Sequence, residues 1–102
     1  MTTISRFDVS EFLGDDELIA EYLAAAMEDE NPDVFIAALG DVAKARGMAE
    51  IAKATGLGRE SLYKSLRGGS KARFETLHRV VHMLGLKMTI VAGGPSPEER
   101  VS

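Results

Sequence analysis

The chain has 102 residues, of which 27% are charged and 45% hydrophobic, with no cysteine and a formal net charge of −4. These values describe one small globular domain and exclude a disulfide-stapled fold and thiol chemistry. No apolar run reaches the roughly 18 residues that a membrane-spanning helix needs. The first residues also lack the charged-then-apolar layout of a secretory signal. We therefore expect a cytoplasmic protein with no membrane partner.

The N-terminal third of the chain is predicted to form an acidic arm and helix over residues 1–30. In residues 1–14, aromatic and aliphatic side chains are spread among polar ones. We expect this arm, or short helical turn, to dock its aromatic residues on the body of the protein, with a freely mobile terminus as the alternative. Residues 15–30 have the pattern of a helix that Asp15 caps. We expect this helix to fray at residues 28–30, because these three acids are unfavourable at the negative end of a helix.

A clear helix-start signal follows at Asn31 and Pro32, because Asn is a favourable cap and Pro is tolerated at the first helical position. The next apolar residues recur at three- and four-residue steps, which predicts one helix over Pro32–Arg46. Gly47 ends it. We expect this helix to brace the two shorter helices that come after it.

The stretch 48–68, MAEIAKATGLGRESLYKSLRG, is predicted to contain two short helices joined by a tight turn at residues 56–58. The first helix is Met48–Thr55. The second is 59–67, in which two leucines four residues apart share one helical face. Two short helices with glycine in the turn between them are typical of a helix-turn-helix.

The outward face of the second helix carries polar and cationic side chains when its leucines are turned inward. Such groups meet base edges and phosphates when a helix lies in the DNA major groove. The candidate DNA-binding residues are Arg59, Glu60, Ser61, Tyr63, Lys64 and Arg67 on this helix, with Lys71 and Arg73 in the loop or first turn beyond it. The alternative is an ordinary amphipathic helix whose polar face is only solvated.

The C-terminal part is predicted to contain a helix over residues 74–84, closed by Gly85. The period-two pattern of residues 86–92, LKMTIVA, then indicates one short β-strand. A lone strand needs a partner for its backbone groups, which could be the same strand of a second subunit, a partner protein or the N-terminal arm. Residues 31–92 would thus form the DNA-binding domain, and residues 93–102 a disordered tail.

Charge is distributed unevenly along the chain. Residues 1–33 carry ten acids and one basic residue, a net −9, whereas residues 44–87 carry ten basic residues and three acids, a net +7. Because phosphate binding follows the local field rather than the total charge, this asymmetry favours two surfaces with two different partners. The alternative is that the acids and bases pair with one another within the fold.

No pattern in the chain predicts catalysis. His78 and His82 have a spacing that can hold a metal ion on a helix. However, no cysteine and few acids lie near them in the sequence, so a solvated or dimer-facing pair is the simpler interpretation. The serines have no nucleophile-elbow or triad signature around them. We expect no enzyme activity, no cofactor and no metal.

The stretch 48–90, MAEIAKATGLGRESLYKSLRGGSKARFETLHRVVHMLGLKMTI, resembles the helix-turn-helix antitoxins called probable addiction-module antidote proteins. These are related to HigA-type antitoxins and to the lambda-repressor DNA-binding fold. The likeness covers roughly residues 7–91, and its most specific parts are residues 56–63, 74–77 and 84–86. It implies an all-α fold: a five-helix lambda-repressor-like helix-turn-helix domain with an N-terminal helical extension and one short C-terminal β-strand.

The resemblance also implies roles for individual residues. Those that match the family pattern are Arg59 and Glu60 as leading base-reading residues, Tyr63 and Lys64 as groove-facing residues, and Ser61 and Arg67 as phosphate contacts. Phage repressors often have amides at the two leading positions, whereas arginine favours guanine and glutamate favours cytosine. We therefore expect a half-site that contains G·C pairs.

The partners that the resemblance implies are double-stranded operator DNA, a small basic RelE/ParE-like toxin and a second copy of the chain. Such antitoxins bind the toxin and repress their own operon, usually as dimers. In this interpretation the acidic N-terminal half would cover a basic toxin surface. Two alternatives stay open. The chain could be a stand-alone phage-type repressor, or a protein-interaction module that has lost DNA binding, which the overall acidity would favour.

Overall fold

The computed structural model describes residues 14–67 and 69–93. This part of the chain contains five helices and no strand: α1 (Asp16–Met27), α2 (Pro32–Arg46), α3 (Met48–Thr55), α4 (Arg59–Ser65) and α5 (Phe74–Met83). The prediction of a predominantly helical fold with five helices is confirmed. None of these helices is long and apolar enough to cross a membrane. The arm predicted over residues 1–14 and the tail predicted over residues 93–102 lie, except for one glycine each, outside the described residues.

The first two helices begin where their capping residues predict. One carboxylate oxygen of Asp15 accepts hydrogen bonds from the backbone N–H groups of Glu17 and Leu18, at 3.0 and 3.2 Å. The side-chain oxygen of Asn31 accepts from the N–H of Asp33 at 2.9 Å. These bonds satisfy donors that have no partner within the helix. α1 ends at Met27, directly before the three acids at which fraying is expected, because acids are unfavourable at the negative end of a helix.

The prediction of a strand over residues 86–92 is wrong: these residues have no regular secondary structure. Leu86 and Met88 are half-buried against the core, so the period-two pattern is visible in burial. Ile90 and Val91, however, are 95% and 78% exposed. A strand forms only when its backbone groups pair with a neighbour, and no other described segment lies beside this one in a ladder.

The central element is α2, which packs against α1, α3 and α5. It buries seven of its 15 residues. Around it the most deeply buried side chains are Ile19 of α1, Leu39 and Val42 of α2, Leu62 of α4, and Val80 and Leu84 at the end of α5. Burying such a side chain contributes about 1.5–3 kcal/mol, so these residues hold the shorter helices in place.

The contact of α1 with α2 includes a polar side chain. Tyr22 of α1 is half-buried beside Asp41 of α2. Burial raises the pKa of the Tyr22 hydroxyl, and the Asp41 carboxylate raises it further through its charge and a hydrogen bond. The neutral phenol is therefore the form that this helix contact favours.

The chain just beyond α4 approaches α2 very closely at Gly40. A Cβ atom at this position would overlap the backbone carbonyl oxygen of Leu66 and lie 3.3 Å from its Cβ. Glycine inside a helix is about 1 kcal/mol less favourable than alanine. The close approach of Leu66 therefore explains why a glycine stands in the middle of α2.

We predict that Gly40→Ala lowers the free energy of unfolding by about 1–2 kcal/mol, because overpacking against a backbone carbonyl exceeds the gain in helix propensity. Urea denaturation followed by circular dichroism measures this change. Gly14→Ala is the matched control, since a Cβ there meets nothing within 4 Å. A Gly40→Ala variant as stable as the control would contradict the steric explanation.

Candidate nucleic-acid interface

The two helices predicted over residues 48–68 are present, with a tight turn between them. At the end of α3, Gly56 has a φ of +79°, which glycine adopts without strain, and its N–H donates to the Ala52 carbonyl at 3.0 Å. Leu57 then packs against the core. Gly58 is extended, with φ −68° and ψ 145°, and directly precedes α4. This backbone geometry fixes the point at which α4 begins.

A side chain from α5 holds the end of α3. The Thr55 hydroxyl donates to the Ile51 carbonyl at 2.8 Å and accepts from the Leu57 N–H at 3.3 Å. One guanidinium nitrogen of Arg79 donates to the Thr55 carbonyl at 3.3 Å. The other guanidinium nitrogen binds the Glu75 carboxylate at 3.0 Å. Arg79 thereby links α5 to the turn that leads into α4.

This role of Arg79 is not predicted from the sequence. The four-residue spacing of Glu75 and Arg79 is visible in the sequence and is typical of a helical ion pair. The bond to Thr55, 24 residues away, depends on how α5 packs against α3. No local pattern indicates it.

The buried and exposed side chains of α4 are those that the sequence predicts. Leu62 is fully buried and Leu66 is 4% exposed. The six candidate residues of this region are all exposed, namely Arg59, Glu60, Ser61, Tyr63, Lys64 and Arg67. Arg67 lies two residues beyond the end of α4 rather than within the helix. The structure thus brings these side chains to one accessible region of the surface.

An open cleft of about 390 Å³ lies between α4 and the loop that leads to α5. Its polar lining consists of three hydroxyl and two cationic side chains: Ser61, Ser65, Thr76, Lys71 and Arg73. Hydroxyl donors and cations are the groups with which proteins bind phosphate oxygens. Ser65 and Thr76 were not among the predicted residues, because only the folding of the loop places them beside Lys71 and Arg73.

The loop on one side of this cleft is fixed by its own hydrogen bonds. The Ser70 hydroxyl donates to the Ser65 carbonyl at 2.8 Å, and the Ser70 N–H donates to the Arg67 carbonyl at 3.1 Å. Arg73 is the N-cap of α5 but makes no side-chain capping bond. The positive end of α5 therefore lies at the cleft without a side-chain acceptor, which makes the local potential more favourable for an anion.

The acids of residues 14–33 form no ion pair with the cations of this surface. Residues 14–33 contain eight acids and no basic residue, and within the described ranges only Asp16 among them has an ion pair, with Arg46 at 3.9 Å. The other described ion pair lies within α5. In residues 14–67 and 69–93, therefore, the acids and bases do not pair extensively with one another, contrary to the alternative considered from the sequence.

The two histidine rings lie next to each other on α5 in a tilted arrangement. The His78 and His82 ring centroids are 4.4 Å apart, and Phe74 continues the row at 5.6 Å from His78. In the part of the chain that the structure describes, no third histidine, cysteine or acid joins them in a metal-binding group. The three rings form a row of tilted aromatic contacts along α5.

We predict that Arg79→Met lowers the free energy of unfolding by about 1 kcal/mol, because the Thr55 carbonyl loses its charged donor while the aliphatic stem is kept. Thermal denaturation measures this. Glu75→Gln is the control: it removes only an exposed ion pair and should change stability by at most about 0.5 kcal/mol. Equal losses in the two variants would show that the Arg79–Thr55 bond contributes nothing.

Comparison with known proteins identifies a family for this chain. A family model described as "Probable addiction module antidote protein" matches residues 3–92. An uncharacterized protein of Haemophilus influenzae is 39% identical over 87 residues, which are 85% of this chain and 90% of that protein. No solved structure matches. The matched region includes all five helices and the eight candidate residues.

Proposed function

Because the chain belongs to the family of probable addiction module antidote proteins, we propose that it is the antitoxin of a type II toxin–antitoxin module. In this proposal it neutralises a small basic RelE/ParE-like (HigB-like) toxin by direct binding. It also represses its own operon by sequence-specific DNA binding. One observation carries the proposal. This small chain has an acidic surface and a cationic surface, and the described residues of the two surfaces do not pair with each other.

The proposed DNA-binding element is a lambda-repressor-like helix-turn-helix formed by α3 and α4. Arg59 and Glu60, in the first turn of α4, would read base edges in the major groove, since arginine suits guanine and glutamate suits cytosine. The cleft beside α4 would take a backbone phosphate on Lys71 and Arg73. Phosphate contacts position a protein on DNA, and base contacts specify the sequence.

The proposed toxin-binding surface is the outer face of α1. Glu17 and Glu21 are exposed and four residues apart on one side of the helix, and the exposed Glu28 is the C-cap residue directly after it. Leu18 and Met27, 44% and 52% exposed, flank them. α1 packs on α2, whereas α4 packs chiefly on α3, so a basic protein bound to α1 would leave α4 accessible. Complementary charge would speed its association.

We propose that the protein acts as a homodimer, because one recognition helix reads few base pairs and two-fold pairing is usual. The α5 surface and residues 86–92 are the candidate contacts. Pairing of residues 86–92 with the same segment of a second copy would supply the strand that its alternation predicts. Residues 1–30, 31–92 and 93–102 remain the proposed divisions of the chain, and no catalytic step, cofactor or metal is part of the proposal.

We predict that this protein, co-expressed with its adjacent reading frame and purified through a tag, retains a small basic protein that is toxic when expressed alone. A combined Glu17→Lys, Glu21→Lys and Glu28→Lys variant should lose the partner, because the charge of the α1 surface is reversed. Glu50→Lys is the control, an exposed acid on α3. A harmless neighbour that is not retained would instead favour the stand-alone repressor.

We also predict that the protein shifts DNA from its own upstream region in electrophoresis, with an affinity that falls steeply as salt rises. Lys71→Gln should lower the salt slope by about one unit, as expected for the loss of one phosphate contact. Lys44→Gln, an exposed cation outside α4 and the cleft, is the control. Failure to shift this DNA at low salt would favour the protein-interaction module.

A further inference from the structure

Two of the exposed side chains on α4 contact each other. The guanidinium carbon of Arg59 lies 6.0 Å from the centroid of the Tyr63 ring. Residues four apart share a helix face, and helical side chains lean towards the N-terminus. The Tyr63 ring therefore covers the turn in which the Arg59 side chain begins. Tyr63 is 38% exposed.

Arg59 stands where a cation is electrostatically disfavoured. It is the first residue of α4, at the positive end of the helix. Neither ion pair among the described residues involves it. Glu60 follows it directly but points about 100° away around the helix axis. The aromatic face of Tyr63 is thus the attractive partner that the described structure gives this guanidinium, through a cation–π interaction.

We infer that Tyr63 is a positioning residue for Arg59, which it holds over the ring in the orientation that binds guanine in the operator. This inference rests on the proposed DNA binding and identifies a residue that sets its base specificity. Arginine recognises guanine through two parallel hydrogen bonds, which require a defined plane of the guanidinium. The neighbouring Tyr63 ring, 6.0 Å from the guanidinium carbon, would restrict the orientation of this group before DNA binds.

The physical gain is preorganisation. A free arginine side chain loses rotamer freedom when it binds, and holding it beforehand reduces this cost. The gain requires the ring of Tyr63 but not its hydroxyl group. A direct contact from the phenol oxygen to a phosphate would require the hydroxyl and would act independently of Arg59. The two roles therefore predict different results for the same substitutions.

The test is a double-mutant cycle on binding to the protein's upstream DNA, read by fluorescence anisotropy. Tyr63→Leu should weaken binding about two- to fivefold, the size of an exposed cation–π interaction. It should lower the preference for guanine at one position by the same factor. Tyr63→Phe should keep wild-type affinity and preference. In an Arg59→Gln background, Tyr63→Leu should have no further effect.

The matched control is Lys64→Gln, which changes a neighbouring exposed residue of α4 and should add its effect to that of Arg59→Gln. A second readout needs no DNA. Protons of the Arg59 side chain that lie over the ring should show an upfield ring-current shift in NMR spectra. This shift should persist in Tyr63→Phe and disappear in Tyr63→Leu, while unchanged melting temperatures show that both variants are folded.

Each outcome separates the inference from the proposed function. Equal loss from Tyr63→Leu in both backgrounds would overturn the positioning role and assign Tyr63 to a direct DNA contact. A Tyr63→Phe variant as weak as Tyr63→Leu would do the same. Wild-type protein that does not bind its upstream DNA would overturn the proposed DNA binding and this inference with it. If the wild-type protein binds its upstream DNA but the effects of Arg59→Gln and Tyr63→Leu are additive, the inference alone is overturned.

Discussion

The burial of α2 is the constraint on which the other helices depend. Isolated helices shorter than about 12 residues are marginal in water, and α3 and α4 have only 8 and 7 residues. They persist because their apolar faces pack into a core that α2 supplies. Gly40 lets the chain beyond α4 lie directly on α2, and Arg79 fixes the end of α3. The position of α4 is thus set by contacts far from its own sequence.

Burial of one face of α4 determines what the other face presents. With Leu62 and Leu66 inside, the remaining side chains of a short helix have only solvent or a ligand to meet. The loop beyond α4 then adds Lys71 and Arg73 on one side of a cleft whose other polar groups are hydroxyls. The cations, the neutral hydrogen-bond donors and the positive end of α5 all favour binding of an anion. A protein with a net negative charge therefore has a surface suited to phosphate.

The acidic and basic parts of the sequence lie on different surfaces of the protein because they fold into different helices. The acidic α1 packs on α2, and the cationic surface is built from α4 and the start of α5. Few ion pairs form among the described residues. The electrostatic field of each surface is therefore available to attract a binding partner. The proposed binding of a basic protein and of an anionic duplex would require this arrangement, since a self-neutralised surface would attract neither.

The sequence by itself determined the helices, their starts at Asp15 and Asn31, and the inward leucines of α4, because capping and periodicity act over a few residues. It also indicated the family. Only the tertiary structure decided the Arg79–Thr55 bond, the reason for Gly40 and the addition of Ser65 and Thr76 to the cleft, since these contacts join residues that are distant in the chain or separated by a folded loop. The alternation of residues 86–92 did not produce a strand, because pairing needs a neighbour that local sequence cannot provide.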